Sequence, residues 1–169
     1  QEGVGIFDTT DSKEQFGRPG LRIVNTRRIG GRPRDLDLPD DVELTRRQTL
    51  EPANIFAATK VTGQVGSFRY GAMAAFEHDT DYIASDDLRY TMPGRDFGVF
   101  RVIYEDSKNA AYRGLGYITT LTAHPESDAV IHGADFHYLT TSGHWNLNGQ
   151  IIYSDVDDEG DGTGIMADA

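Results

Sequence analysis

The stretch Asn54-Ile-Phe-Ala-Ala-Thr-Lys-Val-Thr-Gly-Gln-Val-Gly-Ser-Phe-Arg-Tyr-Gly-Ala-Met-Ala-Ala-Phe-Glu77 decides the architecture, because it alternates in steps of two on both sides of Gly66-Ser67. Before the glycine, Ile55, Ala57, Thr59, Val61, Gly63 and Val65 share one face, and Asn54, Phe56, Ala58, Lys60, Thr62 and Gln64 share the other. After it, Phe68, Tyr70, Ala72, Ala74 and Phe76 oppose Arg69, Gly71, Met73, Ala75 and Glu77. Successive side chains of a strand point to opposite faces, so this period predicts two strands with one apolar and one more polar face. A Gly-Ser step between such runs predicts a tight hairpin. Both runs outlast the average strand of about five or six residues. Lys60, Gln64, Arg69 and Glu77 opposite an apolar face suit a barrel with a wet interior.

Working outward, the same period recurs. Leu21–Ile29 reads as a strand that ends at Gly30-Gly31-Arg32-Pro33. In Phe97–Glu105, Phe100, Val102 and Tyr104 oppose Arg101 and Glu105. In Ala111–Thr122, Leu115, Tyr117 and Leu121 oppose Gly114 and Gly116. Ala129–Thr140 sets Ala134, Phe136 and Tyr138 against Gly133, Asp135 and His137, and Trp145–Ser154 alternates Trp145, Leu147, Ile151 and Tyr153 with Asn146, Asn148 and Gln150. The prediction is an all-β antiparallel meander of about seven long strands. Residues 1–20 form an initial segment, 21–154 the strand region, and 155–169 an acidic loop or tail. Long acidic loops are expected at 30–53, with a short helix near 42–50, and at 79–96.

Composition bounds the function. The chain has 169 residues, enough for one domain with a sizeable core. Net charge is −11 and the longest basic clusters are Arg27-Arg28 and Arg46-Arg47, which argues against nucleic-acid binding. Cysteine is absent, so disulfides and thiol chemistry are excluded. No apolar run reaches the roughly 18 residues of a transmembrane helix, but a spanning strand needs only about 10 with alternate ones apolar. No signal peptide opens the sequence at Gln1; the expectation is a removed export signal or a piece of a longer chain.

The connections between predicted strands run long (30–53), short (66–67), long (79–96), short (106–110), medium (123–128), short (141–144) and long (155 onward). Outer-membrane barrels place short turns on one side of the membrane and long loops on the other. Aromatic residues near strand ends fit the girdles of such barrels. The lipid-facing set is then Phe68, Tyr70, Phe76, Phe100, Tyr104, Trp145, Leu147 and Tyr153. The lumen-facing polar set is Arg27, Arg28, Lys60, Arg69, Glu77, Arg101, Asp135 and His137. Seven strands are odd and too few for a closed single-chain barrel, so the chain reads as a segment of a transmembrane outer-membrane β-barrel that pairs with further strands, of a longer chain or of other subunits.

Three elements add a likeness: Gln1-Glu-Gly-Val-Gly-Ile-Phe-Asp8, the strand ending in Thr26-Arg-Arg-Ile-Gly30, and Ile55-Phe-Ala-Ala-Thr-Lys-Val-Thr-Gly63. Together they resemble a bacterial family of unknown function in which a module similar to carbohydrate-binding modules of family nine precedes a C-terminal outer-membrane barrel. Phe97-Gly-Val-Phe-Arg-Val102 and Gly133-Ala-Asp-Phe136 are similar to further strands of that barrel. The likeness covers most of residues 1–154 in order, with Arg27-Arg28-Ile29-Gly30 its most specific part. Gln1 stands at a usually hydrophobic position, and the loop after Arg32 is acidic. The resemblance implies a cell outer-membrane location and a possible glycan ligand, and it supplies no catalytic residues.

Other motifs carry less. Arg27, Arg28 and Arg32 read either as anion-contacting groups or as partners for acidic residues of neighbouring strands. Asp155, Asp157, Glu159 and Asp161, with Gly160, resemble the first half of a calcium loop, but Met166 stands where the closing Glu belongs. Asp79, Asp81, Asp86 and Asp87 form a second acidic cluster. His78, His124, His132, His137 and His144 show no metal spacing, and no Gly-x-Ser-x-Gly elbow exists. The expected function is non-enzymatic: passage, binding or anchoring of an extracellular ligand, with outer-membrane lipid as the surroundings. The alternative is a soluble all-β binding or assembly module, calcium-stabilised through the Asp155–Asp161 loop, in which Phe68, Tyr70, Phe76, Trp145, Leu147 and Tyr153 converge on a buried core.

Overall fold

A computed structural model describes residues 6–7, 23–24, 29–31, 42–44, 52–107 and 111–168. Nine strands follow in order: β1 Ile55–Val65, β2 Phe68–Glu77, β3 Thr80–Ile83, β4 Arg89–Met92, β5 Asp96–Asp106, β6 Tyr112–Ala123, β7 Ala129–Leu139, β8 Asn146–Val156 and β9 Gly160–Asp168. Seven of them form one sheet in the order β1-β2-β5-β6-β7-β8-β9, and β3 and β4 pair as a separate hairpin. Every neighbouring pair is antiparallel. The protein is therefore an antiparallel all-β meander, and no helix occurs among the described residues. The sheet is open, with β1 and β9 at its edges.

The central hairpin forms where the period predicts it, with Val65 opposite Phe68 and Gly66 at φ +58° in the turn. Glycine is required there because a side chain resists a positive φ. A register shift between Ile55 and Ala57 leaves Phe56 as the extra residue of a β-bulge, and its ring meets the His78 ring edge-on at 5.0 Å.

Three expectations change. The seventh strand of the sheet is β9; of the strand expected at 21–29, only Ile23, Val24 and Ile29 are described, and none of these three is in a strand. Most of the segment, including Arg27 and Arg28, lies outside the described residues, as does Arg32. The acidic tail from 155 onward is instead the end of β8, a tight turn at 157–159 and the strand β9. Asp158 at φ 65° and Gly160 at φ 90° supply the left-handed backbone that a short hairpin needs. Lastly, the acidic stretch 79–96 contains the β3–β4 hairpin, and of the helix expected near 42–50 the described residues 42–44 are irregular.

The register sorts side chains into two faces. One face reads across the sheet as Val65, Phe68, Tyr104, Leu115, Phe136, Gly149, Ala167, and in the next row as Gly63, Tyr70, Val102, Tyr117, Ala134, Ile151, Ile165. Phe68, Tyr70, Tyr104, Leu115, Tyr117, Phe136, Ile151 and Ile165 are all exposed. Where a glycine interrupts this face, an aromatic ring from the neighbouring strand lies over it: Tyr70 over Gly63 and Phe136 over Gly149. The opposite face reads Gln64, Arg69, Ile103, Gly116, Asp135, Gln150, Met166, and from β2 to β8 it is the covered one, while Gln64 at the β1 edge is exposed. Ile6 and Phe7 pack there with Ile103, flanked by Val24, Met73 and Val99. A Cβ on Gly71 would press on Ile6 and Phe7, and one on Gly133 on Ile23, so these glycines admit the N-terminal residues to the sheet surface.

Candidate functional site

The polar face holds three arginine–carboxylate pairs, each joining parts distant in sequence. The deepest spans β5 to β7. Arg101 donates from Nη1 to Asp135 Oδ1 (2.8 Å) and from Nη2 to Oδ2 (2.9 Å), and both residues are 2% exposed. The two strands are not neighbours, since β6 runs between them. The side chains meet over Gly116, the β6 residue opposite Asp135, where a Cβ would lie 2.6 Å from Asp135 Oδ1 and 2.9 Å from Arg101 Nη2. The bidentate geometry uses the planar guanidinium fork and offsets much of the cost of burying two charges.

From Asp135 the network runs along the face. His137 Nε2 lies 3.1 Å from Asp135 Oδ2, His137 Nδ1 lies 2.9 Å from Asn148 Oδ1, and Asn148 Nδ2 donates to Asp168 Oδ1 at 2.8 Å. Gln150, the β8 partner of Asp135, is 4% exposed, yet among the described residues neither amide atom has a hydrogen-bond partner. Toward the short-turn end, Arg69 Nη1 donates to Glu105 Oε2 at 3.2 Å, and the Tyr112 hydroxyl donates to Glu105 Oε1 at 2.8 Å. At the opposite end, Glu77 accepts from Arg95 Nε (2.9 Å) and from the Gly30 N–H (2.8 Å), tying the N-terminal part to β2.

Substituting Gly116 by Ala forces the Arg101–Asp135 pair apart. The expected loss is about 1–3 kcal/mol of unfolding free energy, the usual cost of overpacking, measured by denaturant titration.

Of the lumen-facing set, Arg69, Glu77, Arg101, Asp135 and His137 thus lie on one face, four of them in ion pairs and His137 against Asp135. Lys60 lies on the same face near the sheet edge, its Nζ 5.2 Å from the centre of the Phe7 ring. Arg27 and Arg28 lie outside the described residues. Sequence reading passed over the roles of Glu105, Tyr112, Gly116, Asn148 and Gln150. The signal for the last two was present, because the alternation of β8 already places them opposite Leu147 and Ile151.

The lipid-facing set lies largely on the exposed face. Phe68, Tyr70, Phe76, Phe100, Tyr104 and Tyr153 are exposed there, Trp145 is exposed in the turn before β8, and Leu147 is half-buried. Phe68 and Tyr104 stand opposite each other with ring centres 5.2 Å apart. The buried convergence of these residues expected of a soluble module is not what the sheet displays.

The residues of the calcium reading, Asp155, Asp157, Glu159 and Asp161, lie in the β8–β9 hairpin. Asp155 and Asp161 are cross-strand partners of β8 and β9, and the Asp157 carboxylate is turned to the Asp128 N–H, from which it accepts at 3.4 Å. Among the described residues no group of three His, Asp or Glu is placed to hold a metal ion. In the β3–β4 hairpin, Asp81 accepts from Arg89 and Thr91, while the Tyr90 hydroxyl and the Leu88 N–H hold the Asp86 carboxyl below its ordinary pKa. The second acidic cluster is thereby partly occupied within its own turn. Comparison of the chain with protein-family profiles, with curated proteins and with solved structures finds no match.

Proposed function

We propose that this chain is a non-enzymatic segment of a transmembrane outer-membrane β-barrel that anchors and presents ligand-binding loops on one side of the membrane. The observation that carries this reading is the inverted distribution of burial. The sheet exposes its aromatic and aliphatic face and covers the face that carries Arg101, Asp135, Gln150 and Glu77. A protein in water hides contiguous apolar surface; a strand in a bilayer turns it outward and its polar residues inward.

Chain direction supports the same reading. Alternation of antiparallel pairs makes the edge strands β1 and β9, first and seventh in the sheet, run the same way. Antiparallel closure therefore takes an odd number of further strands and gives the even total of bacterial single-chain barrels. Unpaired edges in lipid cost several kcal/mol for each backbone group, which is why such strands are required as partners. The paired charges and the N-terminal residues on the polar face favour anchoring and binding over passage of solutes. An outer-membrane location, and a glycan as the extracellular ligand, belong to this proposal.

The test is partitioning of the expressed chain with and without detergent, followed by electrophoresis of heated and unheated samples. The expected outcome is a requirement for detergent and a heat-dependent change in mobility once the sheet closes with partner strands. A chain that stays monomeric in detergent-free buffer overturns the proposal.

A further inference from the structure

His137 stands between two hydrogen-bond acceptors, and its neighbours fix its charge. Its Nε2 faces Asp135 Oδ2 at 3.1 Å, and its Nδ1 faces Asn148 Oδ1 at 2.9 Å. The Asp135 carboxylate is ionised against Arg101, from whose Nη1 and Nη2 it accepts, so toward the ring it is an acceptor as well. The Asn148 amide has a donor end and an acceptor end. Its Nδ2 donates to Asp168 Oδ1 at 2.8 Å, which turns Oδ1 to the ring. Both ring nitrogens must then donate, as only an imidazolium does.

Among the described residues the groups around this ring come from five strands. β7 supplies Asp135, β5 supplies Arg101, and β9 supplies Asp168, reached through Asn148 on β8. On β6, Gly114 stands opposite His137, and the Tyr112 side chain lies beside that glycine with its hydroxyl committed to Glu105. Glu105 is in turn paired with Arg69. The Asn148–Asp168 tie joins the end pair of the β8–β9 ladder, which runs from Val156–Gly160 to Asn148–Asp168. Strand ends are where a sheet opens first, so a side-chain bond there bears directly on local opening.

We propose that His137 is a proton-driven switch that sets the direction of the Asn148 amide and thereby holds or releases the end of β9 at Asp168. Charged, the imidazole donates to both sides, and the relay runs from His137 through Asn148 to Asp168. After loss of one proton, the remaining N–H stays on the Asp135 carboxylate, the stronger acceptor. Nδ1 then carries a lone pair that faces another on Asn148 Oδ1. Turning the amide over restores a donor to Nδ1, but it aims Oδ1 at the Asp168 carboxylate, and that contact is lost. Asp168 is exposed and can turn to solvent. One proton leaves Nδ1 for solvent, and no other group changes charge. The tie is thus present at low pH and lost as pH rises through the titration of His137.

The experiment is a series of nitrogen NMR spectra of the full chain, in detergent micelles if it requires them, from about pH 5 to about pH 9, together with hydrogen exchange of the β9 amides. The His137 ring nitrogens and the Asn148 side-chain NH₂ are expected to shift with one common midpoint. Above it, the amides of Met166, Ala167 and Asp168 are expected to exchange about fivefold faster than base catalysis alone accounts for, the effect of losing one hydrogen bond. Asn148→Ala keeps the Asp135 contact and cuts the relay, so His137 still titrates and β9 exchange no longer follows it. His137→Gln is expected to abolish the transition; should that variant fail to fold, Asn148→Ala still decides. A ring that keeps one charge state throughout, an Asn148 NH₂ that does not move with His137, β9 exchange unchanged across the midpoint, or an unaltered response in Asn148→Ala overturns the proposal.

Discussion

Replacing Asp135 by Ala lowers the unfolding free energy by about 3–5 kcal/mol, the usual result of leaving one partner of a buried ion pair uncompensated. Arg101 would then keep a guanidinium that is 2% exposed, with its Nε already lacking a partner among the described residues and both Nη donors stripped of the Asp135 oxygens. His137 would lose its contact at 3.1 Å in the same step. Removing the charges together behaves differently: Arg101→Met/Asp135→Leu is expected to recover most of the loss, because an apolar pair carries no desolvation cost. The single tryptophan, Trp145, is exposed beside the apolar face and reports unfolding by fluorescence. A loss below about 1 kcal/mol for Asp135→Ala would mean that water reaches the pair and screens it.

The second large effect separates bilayer from water. Ile151 is 48% exposed in the second row of the apolar face, between Ala134 on β7 and Ile165 on β9. In a bilayer, Ile151→Arg is expected to cost about 2–4 kcal/mol, as a cation near the midplane does. On a surface facing water the same change stays within about 0.5 kcal/mol. Ser142→Arg, in the exposed turn after β7, is the control and is expected to be neutral in both settings. Unfolding of the three proteins in phospholipid vesicles gives the comparison. An Ile151→Arg protein as stable as the control removes lipid from the account of this face.

The amino-acid sequence alone determined six of the strands, β1, β2 and β5 to β8, and the sorting of their faces. The alternation around Gly66, and again in Phe97–Glu105 and Trp145–Ser154, is a local property of an extended chain, whose pleat turns neighbouring side chains apart. It therefore placed Arg69, Arg101, Asp135 and His137 together on the face opposite Phe68, Phe100 and Phe136 without reference to any partner. It misjudged the C-terminal residues, because Gly160, Gly162 and Gly164 remove the alternating side chains from which a strand is read. β9 exists through its hydrogen bonds to β8, a non-local cause. It also took Ile23 and Val24 for strand residues, whereas their surroundings are set by Gly133 and by the Ile6–Phe7–Ile103 cluster, far away in the chain.

Only the tertiary structure decided which charges meet. Arg101 has its carboxylate two strands away because Gly116 leaves the space above β6 empty, and Glu77 closes on Arg95 because the β3–β4 excursion returns the chain beside the end of β2. A period of two assigns a side chain to a face; its partner on that face depends on register and on the volume of the residues between, which distant strands set jointly.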